Sequence, residues 1–307
     1  MVAEKWRCEG LGAALSLTVY ALVVGLLEGV FYAFMALGLN IVFGVVRMIN
    51  IAHGDLIVLG GYLALTMFSS AHLSALAAFV VAFPLFFVFG VGVYYLFVPK
   101  LEVSSDPEMF SFIAFFGLSM IIESAATLAF GYYPTSLPFS ALVSGTFYVL
   151  GHGVPKAFLV MTALSAAMLG VTYYYLQVTR MGRATRAIMQ NKEQALALGI
   201  NSRLVTLMAF ALGFALAGMA GVLAPYVIGY IYPAEDTFIT VLAFVIAIIG
   251  ALGDPLSSVV GGLVFGVAYQ LLQVFLPYLA YPIVFFALLA IIIAKPGGIL
   301  GKPEREV

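Results

Sequence analysis

Apolar stretches long enough to cross a lipid bilayer succeed one another along almost the whole of this chain. A helix needs ~20 such residues to traverse the ~30 Å of hydrocarbon. Inside that slab no water satisfies the backbone, so every N–H and C=O must be bonded within the protein, and runs of this length meet the demand as α-helices. Charged residues make up 9% of the 307 and hydrophobic residues 64%, where soluble domains carry ~25% charge. The longest polar intervals, a basic segment at 180–203 and a Tyr/Pro-rich stretch at 131–156, are too short for a separate soluble domain. The expected fold is an all-α polytopic membrane protein, residues 1–307 forming one transmembrane domain of about 8–9 helices.

A net charge of −1 without a basic field excludes nucleic acid as a partner. The single Cys8 has no intrachain disulfide partner. Lys5 and Arg7 precede the first apolar run as in a signal peptide, but the run continues to about Val46 without a small-residue cleavage site. It reads as a retained membrane segment.

The expected spans are Leu15–Val46, which is too long for one simple helix, Asp55–Phe68, Ser74–Phe97, Met109–Phe130, Lys156–Val178, Arg203–Gly229, Phe238–Leu252, Leu256–Phe275 and Tyr278–Ala294. Arg180, Arg183, Arg186, Lys192 and Arg203 cluster in one loop, and Lys295, Lys302 and Arg305 in the tail. The positive-inside rule places both in the cytoplasm, and the even number of spans between them agrees. The loop at 230–237, with Glu235 and Asp236, then faces outward, as does 131–156, while Lys100–Glu108 faces inward despite its net acidity. The chain begins outside and its C-terminus is cytoplasmic.

Phe238–Leu252 is short for a span and runs into Gly250-Ala-Leu-Gly-Asp-Pro255. Pro255 lacks an N–H and Gly253 weakens the helix, so a broken or re-entrant segment is expected here. Small residues recur every fourth position at Gly25/Gly29/Ala33, Gly213/Ala217/Gly221 and Gly262/Gly266. Such stripes let helices approach closely, within one bundle or across a dimer seam.

The basic segment has internal order. Asn191 suits an N-cap, with Gln194 three residues on as in a capping box. Lys192–Leu198 then reads as a short helix, closed by Gly199 in the left-handed conformation. A helix of ~10 Å does not persist alone in water and needs a surface to lie on. Ala195 and Leu198 share a face at i,i+3 that can enter a groove on another protein, and Glu193 can meet a basic group there. Arg180, Arg183 and Arg186 fall within one arc of ~120°, suited to anionic headgroups or a partner. The plainer alternative is an interfacial loop that only sets topology.

Glu193-x-Ala195-x-x-x-Gly199 resembles the Glu-Ala-Ala…Gly loop of ABC importer permeases, with Gln194 at the middle alanine. Four further stretches, Gly182-Arg-Ala-Thr-Arg-Ala, Met48-Ile-Asn-Ile-Ala-His-Gly-Asp55, Gly250-Ala-Leu-Gly-Asp-Pro…Gly261-Gly262 and Lys295-Pro-Gly-Gly-Ile-Leu-Gly301, resemble branched-chain amino-acid permeases of the LivH/LivM type, in order from about Gly29 to Gly301. The resemblance implies the membrane subunit of a binding-protein-dependent importer in the cytoplasmic membrane. It implies that residues 180–203 are the loop through which Arg183, Arg186, Asn191, Glu193, Ala195, Leu198 and Gly199 engage an ATPase. The implied partners are two cytosolic ABC ATPase subunits, a second related permease subunit or a second copy of this one, an extracytoplasmic substrate-binding protein, and membrane lipid. The chain has no G-x-x-x-x-G-K-[ST] phosphate loop, since Gly301-Lys302 is followed by Pro303, so the energy of hydrolysis must come from another polypeptide. Outer loops with Tyr132, Tyr133, Pro134, Pro138, Glu235 and Asp236 are the expected seat of the binding protein.

Asn40, Arg47, Asn50, His53 and Asp55 gather at the inner end of the first apolar run. Charged groups deep in lipid cost ~2.5–3.5 kcal/mol, so they face a cavity, a partner or water. These five are candidates for the inner mouth of a pathway, with Arg47 and Asp55 as partners. In the simpler reading Asp55 caps the next helix and Arg47 marks the interface. No metal, cofactor or catalytic constellation is expected, for His53, His72 and His152 stand apart from one another. Glu28 and Glu123, lone carboxylates in apolar spans, keep open a stand-alone proton-coupled carrier. Within the resembling family, branched-chain or other hydrophobic amino acids compete with urea and short amides as substrate.

Overall fold

One unbroken helix, α1 (Val2–Val46), forms the spine of the bundle. It carries six glycines and no proline. Where lipid or other helices replace water, the intrahelical ladder is the only bonding available, so glycine does not break it. The expectation that this run exceeds a simple helix is thus corrected: it is a single helix of 45 residues. A computed structural model describes residues 2–295 and 298–299. Lys302 and Arg305 of the basic tail, and most of the Lys295–Gly301 motif, lie outside the described residues.

After α1 come α2 (His53–Ser69), α3 (Ala75–Leu101) and α4 (Pro107–Phe130). A two-stranded hairpin, β1 (Thr146–Val149) and β2 (His152–Pro155), precedes α5 (Lys156–Val178). The basic segment folds as α6 (Arg180–Gln190) and α7 (Lys192–Ala197). The last group is α8 (Ser202–Leu223), α9 (Pro225–Ile228), α10 (Asp236–Gly250), α11 (Ser258–Phe275) and α12 (Ala280–Ala294). Among the described residues seven helical stretches are long and apolar enough to cross a membrane. Adding α2 and α12, apolar but shorter at 17 and 15 residues, gives a bundle of the expected size.

The hairpin falls in the 131–156 stretch that the sequence presents only as an outer loop. Its register pairs Val149 with His152 across a two-residue turn, Leu150-Gly151, in which both residues have positive φ (47° and 90°). That is the turn whose twist matches antiparallel strands. Thr135 also pairs with Ile231, so the 131–156 and 229–235 connections meet at one end of the bundle. The other end holds α6 and α7, and Glu102 of the α3–α4 connection accepts a hydrogen bond from Lys192 there at 3.0 Å. We call these the far end and the basic end. The acidity of the 100–108 loop is partly balanced by this lysine.

The inner parts of α1 and α8 are mostly buried, whereas α4 and α5 turn Phe112, Ile121, Leu128 and Val171 outward. Lipid tails are as apolar as these side chains, so close contact between small residues holds the centre together. Gly25 and Gly29 of α1 face Gly266 and Gly262 of α11. A Cβ added at Gly29 would meet the Gly262 carbonyl oxygen at 3.0 Å, and one at Gly25 the Gly266 oxygen at 2.9 Å. Gly213 of α8 likewise lies against the Gly38 carbonyl of α1. All three small-residue stripes are spent on packing within the chain.

The expected break near 250–255 is present. α10 stops at Gly250, Ala251 is extended, Gly253 sits at φ +85°, and Pro255–Ser257 form a short 3-10 turn before α11.

Candidate functional site

Two polar centres stand out at different depths, one exposed at the basic end and one buried in the bundle.

At the basic end, Thr179 caps α6 through its hydroxyl, which accepts from the Gly182 N–H at 2.9 Å. Asn191 caps α7, its Oδ1 accepting from the Gln194 N–H at 2.9 Å. Only half of the capping box forms. The Asn191 N–H donates to the Ala187 carbonyl at 3.0 Å, finishing the ladder of α6, and is not free for the Gln194 side chain. α7 closes with Gly199 at φ +78°, the Ile200 N–H donating to the Ala195 carbonyl at 3.1 Å and the Gly199 N–H to the Leu196 carbonyl at 2.9 Å. This is the paired bonding of a Schellman cap.

The helix does not present the face expected of it. Ala195 is 2% exposed and packs into the chain, whereas Leu198 is 81% exposed. The two lie on opposite sides because Leu198 falls in the closing turn, after the last helical residue. Glu193, Leu196 and Leu198 form the outward surface, with Arg183 exposed on α6. Arg186 turns back and donates from Nε to the Leu176 carbonyl at 2.9 Å, satisfying the end of α5. Beside α7 a cleft of about 500 Å³ is lined by Arg47, Met48, Glu102, Asp106, Glu108 and Lys192, among others.

The five residues at the end of the first apolar run do not form one site. α1 ends at Val46, and Arg47 leaves it at φ +56°. Arg47 does not pair with Asp55. Its Nη2 donates to the Met189 carbonyl at 3.3 Å, tying α1 to α6. Asn40 is fully buried and binds the α10–α11 turn, its Nδ2 donating to Ser258 Oγ at 2.6 Å and its Oδ1 accepting from the Gly253 N–H at 2.9 Å. From Arg47 the chain turns back into the bundle. His53 Nε2 lies 3.0 Å from the Met35 carbonyl, 11 residues before the end of α1. At 1.5 Å per residue that is ~16 Å from the basic end. Asn50, 2% exposed, has no hydrogen-bond partner on either amide atom.

Asp55 is not the cap of α2, whose N-cap position is Ala52 with no side-chain bond. It sits in the first turn and faces α4 and α10. The first turn of α2 is held against α10, the Gly54 N–H donating to Thr240 Oγ1 at 2.7 Å and that hydroxyl donating to the Ile51 carbonyl at 2.8 Å. There the Asp55 carboxyl lies beside Ser119 and Asp236, with Glu123 nearby. Ser119 Oγ donates to Asp236 Oδ2 at 3.2 Å.

Asp236 and Glu235 are therefore not displayed on an outer loop as expected, being 2% and 6% exposed. Glu235 accepts from the Tyr230 hydroxyl at 3.4 Å. The Tyr232 phenol is pushed up to about 12, chiefly by its hydrogen bond to Glu235. The sequence puts Asp236 outside because the 230–237 loop between two spans holds Glu235 and Asp236 and no basic residue. The one available signal was the Asp-x-x-x-Thr240 spacing, which puts both polar groups on one face of the helix.

The chain matches the family model of branched-chain amino acid transport system permease components over residues 21–294. It is 30% identical over 298 residues to the high-affinity branched-chain amino acid transport system permease protein LivH of Escherichia coli (strain K12), covering 92% of this chain and 95% of that protein. It is 31% identical over 301 residues to the corresponding permease protein BraD of Pseudomonas aeruginosa, covering 93% and 96%. To the permease protein LivM of Escherichia coli (strain K12) it is 28% identical over 275 residues, 80% of this chain and 62% of that one. No solved structure matches the chain.

Proposed function

This chain belongs to the family of branched-chain amino acid transport permease components, and on that premise we propose that it carries branched-chain or other hydrophobic amino acids inward across the cytoplasmic membrane. It is a multi-pass membrane subunit of an ABC transporter and not an enzyme; ATP is hydrolysed on a separate subunit. The observation that carries the reading is the family match across residues 21–294, nearly the whole bundle.

The basic end lies in the cytoplasm, as the arginines and lysines of 180–203 favour, and the C-terminus with it. Two ATPase subunits seat there. The contact is made by Glu193, Leu196 and Leu198 on the outward face of α7, helped by Arg183, while Asn191, Ala195, Gly199 and Arg186 hold that face in place. The outward Glu193, Leu196 and Leu198 beside the basic α6 support this, as a small mixed surface that another protein can grip. A second permease subunit, related or identical, completes the membrane portion; the likeness to LivM supports a related one. A secreted binding protein docks at the far end, on Tyr132, Tyr133 and the β1–β2 hairpin, which are exposed there. The inner mouth of the path is the cleft beside Arg47, and Asn50, His53 and Asp55 lie deeper along it.

The test is uptake of labelled L-leucine into vesicles holding this chain with candidate ATPase, second permease and binding protein. Uptake is expected only with all four and ATP. Uptake by the chain alone on a proton gradient would overturn the proposal.

A further inference from the structure

We infer that Asp55 and Asp236, with Ser119 between them and Glu123 beside them, take the ammonium group of the amino acid in transit. This rests on the transport reading above and adds where, inside the bundle, the substrate is held.

Three observations carry it. The first is burial in the wrong place: two carboxyl groups from different helices, each 2% exposed, meet inside the bundle beside the start of α2, whose His53 touches Met35, 11 residues in from the basic end of α1. Like carboxylates at such range cannot both ionise without a positive neighbour. No arginine or lysine supplies one: Arg47 is held at the end of α1 by the Met189 carbonyl, away from the pair, and the His53 ring is bonded to the Met35 carbonyl. The ammonium group of a bound amino acid would supply that positive neighbour.

The second is unspent bonding. Asp55 Oδ2 is buried without a partner inside the cluster, and both amide atoms of Asn50 are buried without partners in the segment leading into α2. Buried polar atoms are almost always paired. An ammonium offers three N–H donors, enough for Asp55 Oδ2 and the Asp236 carboxyl. Asn50 offers donors to a carboxylate.

The third is the meeting of helix starts. α2 and α10 begin against one another, joined through Thr240. Helix starts carry partial positive charge, which favours the substrate carboxylate at the same depth. A zwitterion thus finds both complements, whereas a neutral amide would have no use for the acidic pair.

The test uses the intact transporter. Dicyclohexylcarbodiimide labels buried carboxyl groups, and mass spectrometry reads its addition at Asp55 and Asp236. Millimolar L-leucine and 3-methylbutylamine are expected to slow labelling at least threefold, and 4-methylpentanoate, which lacks the amine, to leave it unchanged. Equal protection by 4-methylpentanoate, or none by leucine, overturns the site. Leucine uptake measured in parallel separates the two ideas: uptake without protection sinks the site alone, and no uptake sinks both. If the reagent does not reach the pair, variants decide. Asp55→Asn and Asp236→Asn, normalised to assembled complex, are each expected to lower uptake at least tenfold, with partial recovery in Asp236→Glu. Uptake within twofold of the parent in both Asn variants overturns the inference.

Discussion

At position 199 the backbone sits at φ +78° with open space where a Cβ would project. The objection to a side chain is therefore conformational, ~1–2 kcal/mol for an L-residue in the left-handed region. Gly199→Val should leave membrane insertion intact yet unseat Leu198, lowering ATP-driven uptake severalfold and weakening ATPase binding in pull-down. Unchanged values for both would remove α7 from the coupling role. At Asn40 the logic is reversed, because the side chain itself supplies the bonds. Asn40→Leu orphans the Gly253 N–H and should cost ~1–3 kcal/mol, read as a lower melting temperature of the purified chain in detergent. Gly199 and Asn191 could be read from sequence since caps are local chemistry. The inward turn of Ala195 could not, for it depends on what α8 presents beneath it.

Helix packing tells a similar story one level up. The α1–α11 seam brings backbone to backbone at Gly25, Gly29, Gly262 and Gly266, where the nearest atoms are backbone and cannot give way. Gly29→Leu should destabilise the bundle by ~3 kcal/mol, the upper part of the overpacking range, and reduce the folded fraction recovered in detergent. Gly117→Leu, on α4 where nothing lies within 4 Å, is its control and should have no effect. By contrast the Lys192–Glu102 pair is half exposed, with side chains 43% and 27% accessible. Lys192→Ala should change stability by less than ~1 kcal/mol, and less still at high salt. Spacing of small residues was visible in the sequence; which stripe meets which was not.

Taken whole, the molecule has a buried core of α1 and α8 and a lipid-facing shell in which α4 and α5 expose most of their surface. In this family ATP hydrolysis is carried by a separate subunit. Vesicles containing the complete transporter should lose leucine uptake when ATP is replaced by a non-hydrolysable analogue, and dissipating the proton gradient should leave it unchanged within twofold. A collapse of uptake on dissipation would revive the carrier reading built on Glu28 and Glu123.

Fold class, the break after Gly250 and the capped stub at 191–199 were all determined by the sequence, because each follows from a local rule: hydrocarbon thickness, proline's missing N–H, cap chemistry, glycine's freedom at positive φ. The continuity of α1, the separation of Asn40 and Arg47 from Asp55, and the descent of Asp236 into the bundle were decided only by tertiary structure. Those outcomes hang on residues tens to hundreds of positions apart competing for the same bonds, Met189 for Arg47, Ser258 for Asn40, Ser119 for Asp236. No periodicity within one segment records which distant partner wins.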